Sequence, residues 1–229
     1  MASWMVHFRI ADALLDMTEG LSQVEFIFGN IAPDSGVPNA DWSAFTPSSD
    51  ISHFKTTDAD GLKEIHLEDY VKAYLREEQY KEYTAKERSF YLGYLIHLLT
   101  DMEWVGMVVR PSKEKFRELY DRDRNEWIWT LKKDWYDLDF LYLQEHPDFR
   151  AFCLYERAVG FRNEFLDFFA PDAFENRREY ICGFYRAGRE GLDREYPYLT
   201  RQEMDAFVKG CVQRVRAGQF GDFVTKGIL

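Results

Sequence analysis

The chain has 229 residues, and 29 basic against 40 acidic side chains give it a net charge of −11. Such a charge repels nucleic-acid backbones and anionic lipid, so a nucleic-acid-binding protein is not expected. A small anionic substrate stays possible, because bound divalent cations can reverse the field locally. Three cysteines without metal-binding spacing, no basic apolar leader and no run of 18 apolar residues predict a reduced, cytoplasmic protein without a transmembrane segment.

The N-terminal part of the chain combines helices with one long loop. Apolar residues recur at helical spacing from about residue 4 to 17. The stretch from Pro33 to about Asp60 is rich in Pro, Ser, Asp and Gly, and its apolar residues favour an ordered loop. A helix is predicted over about 67–79.

The rest of the chain is predicted to be helical. A capping box at Thr84 and Glu87 opens an apolar helix that is expected to end before Pro111. Further helices are predicted over about 113–145, 148–168, 173–194 and 201–217. Because no linker separates these segments, we predict an all-α protein, a single-domain multi-helix bundle that spans residues 1–229.

The apolar helix after Thr84 contains two ionisable side chains, His97 and Asp101. They are four residues apart and therefore lie on one face of the helix. A helix that is apolar on nearly every side belongs in the core, where ionisable groups are paired, hydrogen-bonded or bound to a metal. The spacing alone does not separate a hydrogen-bonded pair from a pair of metal ligands.

Three other segments offer ligands of the same kinds. His7 lies in the first apolar helix, Asp34 follows Pro33, and His53 lies in the loop between Ser52 and Phe54. Taken singly, a core histidine is usually a packing residue, and an aspartate after proline usually belongs to a turn or caps a helix. Taken together, histidine and carboxylate ligands suit zinc, and a carboxylate can bridge two ions.

Four short segments occur in a familiar order: HFRIADALL from His7, FGNIAPD ending at Asp34, SHF around His53, and GYLIHLLTD ending at Asp101. This order resembles that of the zinc-dependent phospholipase C family, which is related to the S1/P1 nucleases. The resemblance covers about the first 105 residues. It implies an all-α fold with a zinc cluster at the bottom of a cleft.

The resemblance also implies roles for individual residues. Carried over by position, Asp34, His53, His97 and Asp101 would hold one zinc ion. Asp101 would bridge to a second ion that His7 also binds. Asp34 would be the catalytic general base or would orient the attacking water.

The chain departs from the family pattern in two places. Secreted members bind an ion through an N-terminal tryptophan, whereas Trp4 here follows three other residues. Members also carry further histidines after the bridging aspartate, whereas no histidine occurs here between His97 and His146, so a full three-zinc site is not expected. Asp134, on the apolar stripe of the 113–145 helix, is a candidate replacement ligand, or else a hydrogen-bonded or solvated residue at the edge of that stripe. Asp137 and Asp139 are expected at the surface.

Three functions follow from this pattern. The first is a metal-dependent hydrolase that uses one or two zinc ions to cleave a small-molecule phosphoester or a phospholipid head group. The second binds iron or manganese at the same ligands and is an oxidase or a hydrolase of another ester. The third is a non-catalytic helical binding protein with a structural metal cluster.

Overall fold

The computed structural model describes residues 1–16, 20–41, 43–57 and 63–218, and the all-α fold is confirmed. The helices are α1 Trp4–Leu15, α2 Gln23–Ile31, α3 Ser49–Ser52, α4 Leu67–Tyr74, α5 Glu77–Glu82, α6 Ala85–Trp104, α7 Arg110–Lys115, α8 Arg117–Arg122, α9 Arg124–Glu145, α10 Arg150–Arg157, α11 Ala173–Arg186 and α12 Arg201–Arg216. Two antiparallel hairpins pair β1 Val37–Pro38 with β2 Phe45–Thr46 and β3 Lys55–Thr57 with β4 Lys63–Ile65.

Helix α6 is the centre of the fold. The Thr84–Glu87 capping box opens it as predicted, and every residue from Ser89 to Asp101 is buried. Buried apolar residues of α1, α2, α6 and the helices from α9 to α12 form one continuous cluster around it. The helix that contains His97 and Asp101 is therefore surrounded by protein. The single-domain organisation over residues 1–229 stays a prediction.

Helices α2 and α6 pack closely because each has a glycine at the contact. A Cβ atom added to Gly93 would overlap the carbonyl oxygen of Phe26, and one added to Gly29 would overlap the carbonyl oxygen of Phe90. Each glycine thus lets the backbone of the facing helix approach it directly. This approach brings the end of α2, next to Asp34, beside His97 on α6.

Helix α6 ends at Trp104, before Pro111 as predicted, but helical backbone continues past the proline to Lys115. A π-helical turn, Val105–Val109, joins α6 to α7, and Pro111 lies in the first turn of α7. The N–H of Arg110 bonds to the carbonyl of Val105, five residues back. Because this wider turn changes the hydrogen-bond register just before a residue without an N–H, the helix continues through the proline.

The continuous helical run Ala85–Lys115 is long and apolar enough to meet the requirement for a membrane span, but 67% of its apolar window is buried inside the protein. Core helices of ordinary proteins meet the same requirement. This run is therefore weak evidence for a span.

Other helix boundaries differ from the predicted ones. The 113–145 stretch divides at Phe116 and again at Asp123. The carboxylate of Asp123 accepts the N–H groups of Asn125 and Glu126 and starts α9. The 148–168, 173–194 and 67–79 predictions are too long, because α10 ends at residue 157, α11 ends at residue 186, and α4 and α5 replace a single helix. The predicted loop from 33 to about 60 forms β1, β2, α3 and β3, although residues 42 and 58–60, like the predicted helix end at 17, lie outside the described residues.

Candidate metal centre

Five of the six predicted ligands meet in the structure, and they come from four segments. His7 lies on α1, Asp34 ends a short 3-10 turn after α2, His53 follows α3, and His97 and Asp101 lie on α6. The three histidines and Asp101 are at most 1% exposed. The Asp34 side chain is 10% exposed and forms the open edge of the group.

The ligand atoms lie at distances that suit a metal. Nε2 of His53 is 3.3 Å from Oδ1 of Asp34 and 3.6 Å from Oδ2 of Asp101. Nε2 of His97 is 3.6 Å from the same Oδ2 and 3.3 Å from Nε2 of His53. Nε2 of His7 is 3.4 Å from Oδ1 of Asp101. Tetrahedral bonds of about 2.0–2.2 Å place two ligand atoms about 3.4 Å apart, so these spacings match a zinc-like site.

The ring orientation of His97 leaves a lone pair for a cation. Its Nδ1 donates to the carbonyl oxygen of Asn30 at 2.8 Å, so its Nε2 carries no proton in the neutral ring. Nδ1 of His53 lies 3.0 Å from Oγ of Ser52. With the same tautomer in His53, two Nε2 lone pairs face each other, an arrangement that a shared cation stabilises.

Several buried atoms at this site lack a hydrogen-bond partner among the described residues. Both ring nitrogens of His7 and Oδ2 of Asp101 are in this state. The 3.4 Å approach of His7 to Asp101 is an ion-pair distance without hydrogen-bond geometry. Buried polar atoms without partners are costly, and coordination to a cation would satisfy them. The residues therefore fit a divalent metal ion.

The pKa values of four of the five ligands shift toward the forms that bind a cation. Burial, with help from His97, lowers the pKa of His7 to about 4, and burial also lowers the pKa of His53. Burial acts to lower the pKa of His97 as well, but its interactions with Asp101 and Asp34 raise it. Burial alone would raise the pKa of Asp101, but the terminal amino group and the neighbouring histidines hold it well below its usual value. Burial would raise the pKa of Asp34, but its interactions with His53 and His97 lower it. Neutral imidazoles and ionised carboxylates are the forms that bind metals.

The N-terminal segment also lies in the site, which the sequence pattern did not reveal. The backbone N–H of Ala2 donates to Oδ1 of Asp101 at 2.7 Å, and the indole N–H of Trp4 donates to Oδ2 of Asp34 at 2.9 Å. Trp4 thus supports a ligand through its side chain. A backbone donor such as Ala2 leaves no signal in a sequence, because any residue can supply it.

Asp134 lies elsewhere in the structure. Its Oδ1 is 2.7 Å from Nη1 of Arg194, and its Oδ2 accepts the N–H of Tyr198 at 2.8 Å. With both oxygens engaged there, Asp134 is not proposed as a ligand. The expectation that Asp137 and Asp139 are exposed is wrong, because both are buried on α9. Asp137 is neutralised by Arg194 and Arg189 at 2.6 and 2.7 Å.

The carboxylate of Asp139 on α9 is hydrogen-bonded to residues at the start of α1 and on α11. Its two oxygens accept the hydroxyl groups of Ser3 at 2.7 Å and Tyr185 at 2.8 Å, and the Tyr185 oxygen accepts the N–H of Met5 at 3.2 Å. Burial raises the pKa of Asp139 to about 7, although these hydroxyl groups and the charges of Arg9 and Arg189 act against the rise. The buried carboxyl group that bonds to Ser3 thus has a pKa close to neutral pH.

Asp139→Asn is expected to remove a pH dependence of stability. Because the folded-state pKa is raised, the protonated carboxyl contributes stability below about pH 4, and this contribution is lost as the pH rises toward 7. The shift corresponds to at most about 4 kcal/mol at high pH. Urea unfolding at pH 4.5, 6 and 8 should show the free energy of unfolding of the variant gaining on that of the parent as the pH rises. Asp193→Asn, at an exposed position, is the matched control, and equal curves for Asp139→Asn and the parent would contradict the assignment.

A cavity of about 380 Å³ opens above Asp34 and His53. Aromatic and apolar side chains form most of its wall, among them Met1, Trp4, Phe45, Trp129, Trp135, Tyr136 and Tyr180. Two cationic side chains, Lys132 and Arg177, also line it. A ligand in this cavity would touch the open edge of the candidate metal centre.

The fold and the site define an all-α protein with a buried histidine and carboxylate centre suited to a divalent metal ion. Residues 6–104, a little under half of the chain, match the family model for zinc-dependent phospholipase C. This matched part contains all five clustered residues, and the predicted resemblance to that family is confirmed. Neither the curated proteins nor the solved structures give a significant match.

Proposed function

We propose that this protein is a metal-dependent hydrolase of phosphoesters, with zinc as its metal. The observation that carries the proposal is the convergence of three imidazoles and two carboxylates, spaced for tetrahedral bonds, at the floor of an open cavity. The family match supports the same reaction class and the same metal.

The proposed ligands form two overlapping groups. The ligand atoms of His53, His97 and Asp101 lie within 4.8 Å of one another, as do those of His7, Asp34 and His97. The two groups share His97, and Asp101 lies 3.4 Å from His7 of the other group, so the cluster offers ligands for one or two ions. The chemistry that such ions supply is a lowered pKa of water, toward about 7, and stabilisation of the negative charge on phosphoryl oxygens.

Asp34 is the proposed general base. It lines the cavity, its lowered pKa keeps it ionised, and its two oxygens are oriented by His53 and Trp4. A carboxylate held in this way can accept a proton from a water molecule at the cavity floor or orient that water.

Exposed apolar side chains around the cavity favour a phosphoester with an apolar part, such as a phospholipid. The described residues include nine exposed large apolar side chains. Four of them, Met1, Phe45, Trp129 and Tyr180, line the cavity. Val37 pairs with the neighbour of Phe45, and Ile51 lies between two lining residues of α3. Aromatic side chains of this kind favour the boundary between water and lipid.

The two alternative functions, a non-catalytic binding protein and a metal-dependent oxidase, would use the same candidate ligands and can be distinguished there. A structural metal site has a closed coordination sphere, whereas Asp34 and His53 face an open cavity here. This opening favours catalysis over a non-catalytic binding protein. Histidine and carboxylate ligands also suit iron and manganese, so metal analysis separates the hydrolase from an oxidase.

The proposal predicts zinc-dependent hydrolysis. Protein purified without added metal is expected to contain one or two zinc ions per chain by mass spectrometry, in line with the ligand groups. It should hydrolyse bis(p-nitrophenyl) phosphate, cleave micellar short-chain phosphatidylcholine faster, and lose both activities with a chelator. Predominantly iron with an optical absorption band would contradict the proposal, as would bound zinc without hydrolysis of either substrate.

A phospholipid substrate can be tested separately with two variants of exposed apolar residues. Ile51→Ser is expected to slow hydrolysis of the micellar lipid and leave hydrolysis of the soluble ester unchanged. Val159→Ser is the matched control, because Val159 is also exposed but does not line the cavity. Equal lipid rates for the two variants and the parent would contradict a lipid substrate while leaving phosphoester hydrolysis standing.

A further inference from the structure

Arg177 on α11 is a buried cation that has no anionic partner among the described residues. Arg177 and Arg178 are both 7% exposed, and Arg178 pairs with Glu175 at 2.5 Å. Arg177 has no acidic residue within ion-pair distance in the described part of the chain. Buried charges are ordinarily paired, so a guanidinium in the cavity wall without an acidic partner in the described ranges is suited to an anion bound in the cavity.

Contacts with uncharged groups hold Arg177 close to the metal centre. Its Nη2 donates to the carbonyl oxygen of Gly36 at 2.6 Å, two residues after Asp34. Its guanidinium carbon lies 5.9 Å from the ring centre of Trp4 and 5.4 Å from that of Tyr180. Trp4 itself donates to Asp34, so one indole touches both the cation and a proposed metal ligand. The guanidinium is thus positioned before any anion arrives.

Lys132 on α9 is the second cation in the same wall. Its ammonium group lies 4.8 Å from the ring centre of Trp129, and no described acidic residue pairs with it. Burial lowers the pKa of Lys132, although the charge of Asp34 acts in the opposite direction. In a chain with a net charge of −11, two cavity cations without acidic partners are a local reversal of sign.

We propose that Arg177 and Lys132 form an anion subsite that binds the phosphate group of a substrate beside the metal centre. Arginine offers a planar set of donors that matches phosphate oxygens, and lysine adds a point charge. The two cations would hold the non-bridging oxygens while the scissile bond lies above Asp34. This inference rests on the proposed function, because it specifies how the same cavity holds its substrate.

Inorganic phosphate is the probe for the subsite. Titration calorimetry on the full chain as purified, with its metal content measured, should give dissociation constants for phosphate. Arg177→Met and Lys132→Met are each expected to weaken binding by about tenfold or more without changing the metal content, because each removes a hydrogen bond to a charged group. Lys133→Met is the matched control, since Lys133 is the exposed neighbour of Lys132 and loses the same charge.

Arg177→Lys keeps the inference testable if the methionine variant does not fold. It retains the charge and should bind phosphate more tightly than Arg177→Gln. Unchanged dissociation constants in the Arg177 and Lys132 variants would overturn the subsite, as would an equal loss in Lys133→Met. Phosphate binding that depends on Arg177 and Lys132 in a protein without hydrolytic activity would support the subsite and refute the proposed hydrolase. Hydrolysis with variant-independent phosphate binding would do the reverse.

Discussion

Asp101→Asn is expected to empty the metal centre and abolish hydrolysis. The two oxygens of Asp101 face the Nε2 atoms of all three clustered histidines at 3.4–3.6 Å, whereas Asp34, the other carboxylate, has only His53 at a comparable distance. An amide lacks the negative charge and offers one acceptor oxygen instead of two. We expect metal affinity and activity to fall further than the roughly 10–100-fold seen when only an outer-shell partner is lost. Metal content by mass spectrometry and turnover of bis(p-nitrophenyl) phosphate measure the two effects.

Asp134→Asn is the matched control for this prediction. Asp134 is also a buried aspartate, yet it pairs with Arg194 outside the metal centre. The control variant should lose stability and keep its metal. His97→Ala gives a second, independent removal of a ligand. Unchanged metal content and turnover in both Asp101→Asn and His97→Ala would refute the metal centre.

Gly93→Ala is expected to be strongly destabilising, as its counterpart Gly29→Ala would be on the facing helix. The new Cβ would overlap the carbonyl oxygen of Phe26 and press on the N–H of Asn30, so α2 and α6 would have to separate. Overpacking of a core costs about 1–3 kcal/mol, and a clash with backbone atoms should reach or exceed the upper end. The separation should also break the hydrogen bond from His97 to Asn30. Urea unfolding and metal content of the folded fraction measure both consequences.

Gly183→Ala is the matched control for the methyl addition. Gly183 is exposed in the interior of α11, and an added Cβ meets nothing within 4 Å. This variant should gain about 0.5–1 kcal/mol, because alanine is the better helix former. Equal stabilities of Gly93→Ala and Gly183→Ala would show that the α2–α6 contact can relax.

The candidate ligands could be predicted because they violate the rules of burial. An apolar helix that keeps a histidine and an aspartate on one face signals a function for them, and the order of the four segments identifies their partners. The glycine in GYLIHLLTD has a physical reason as well, since it lets α2 touch α6 beside His97. The predicted and observed positions therefore agree for residues whose contacts the motif itself specifies.

The remaining acidic residues could not be placed from the sequence. Asp134, Asp137 and Asp139 are buried by Arg194, Arg189 and Tyr185, which follow more than 40 residues later. Helical spacing shows which face of α9 is apolar but not which distant side chains cover its edges. The cations of the cavity wall were missed for the same reason, because a lysine and an arginine on different helices share no pattern in the sequence.

The four-segment origin of the ligands joins chemistry to folding. An ion held by α1, the turn after α2, the residue after α3 and α6 would cross-link parts of the chain that are up to 94 positions apart, from His7 to Asp101. Whatever free energy its binding supplies is then added to the free energy of unfolding, as for any ligand of the native state alone. The concentration of metal available to the protein would then affect the stability of the folded chain as well as its rate of hydrolysis.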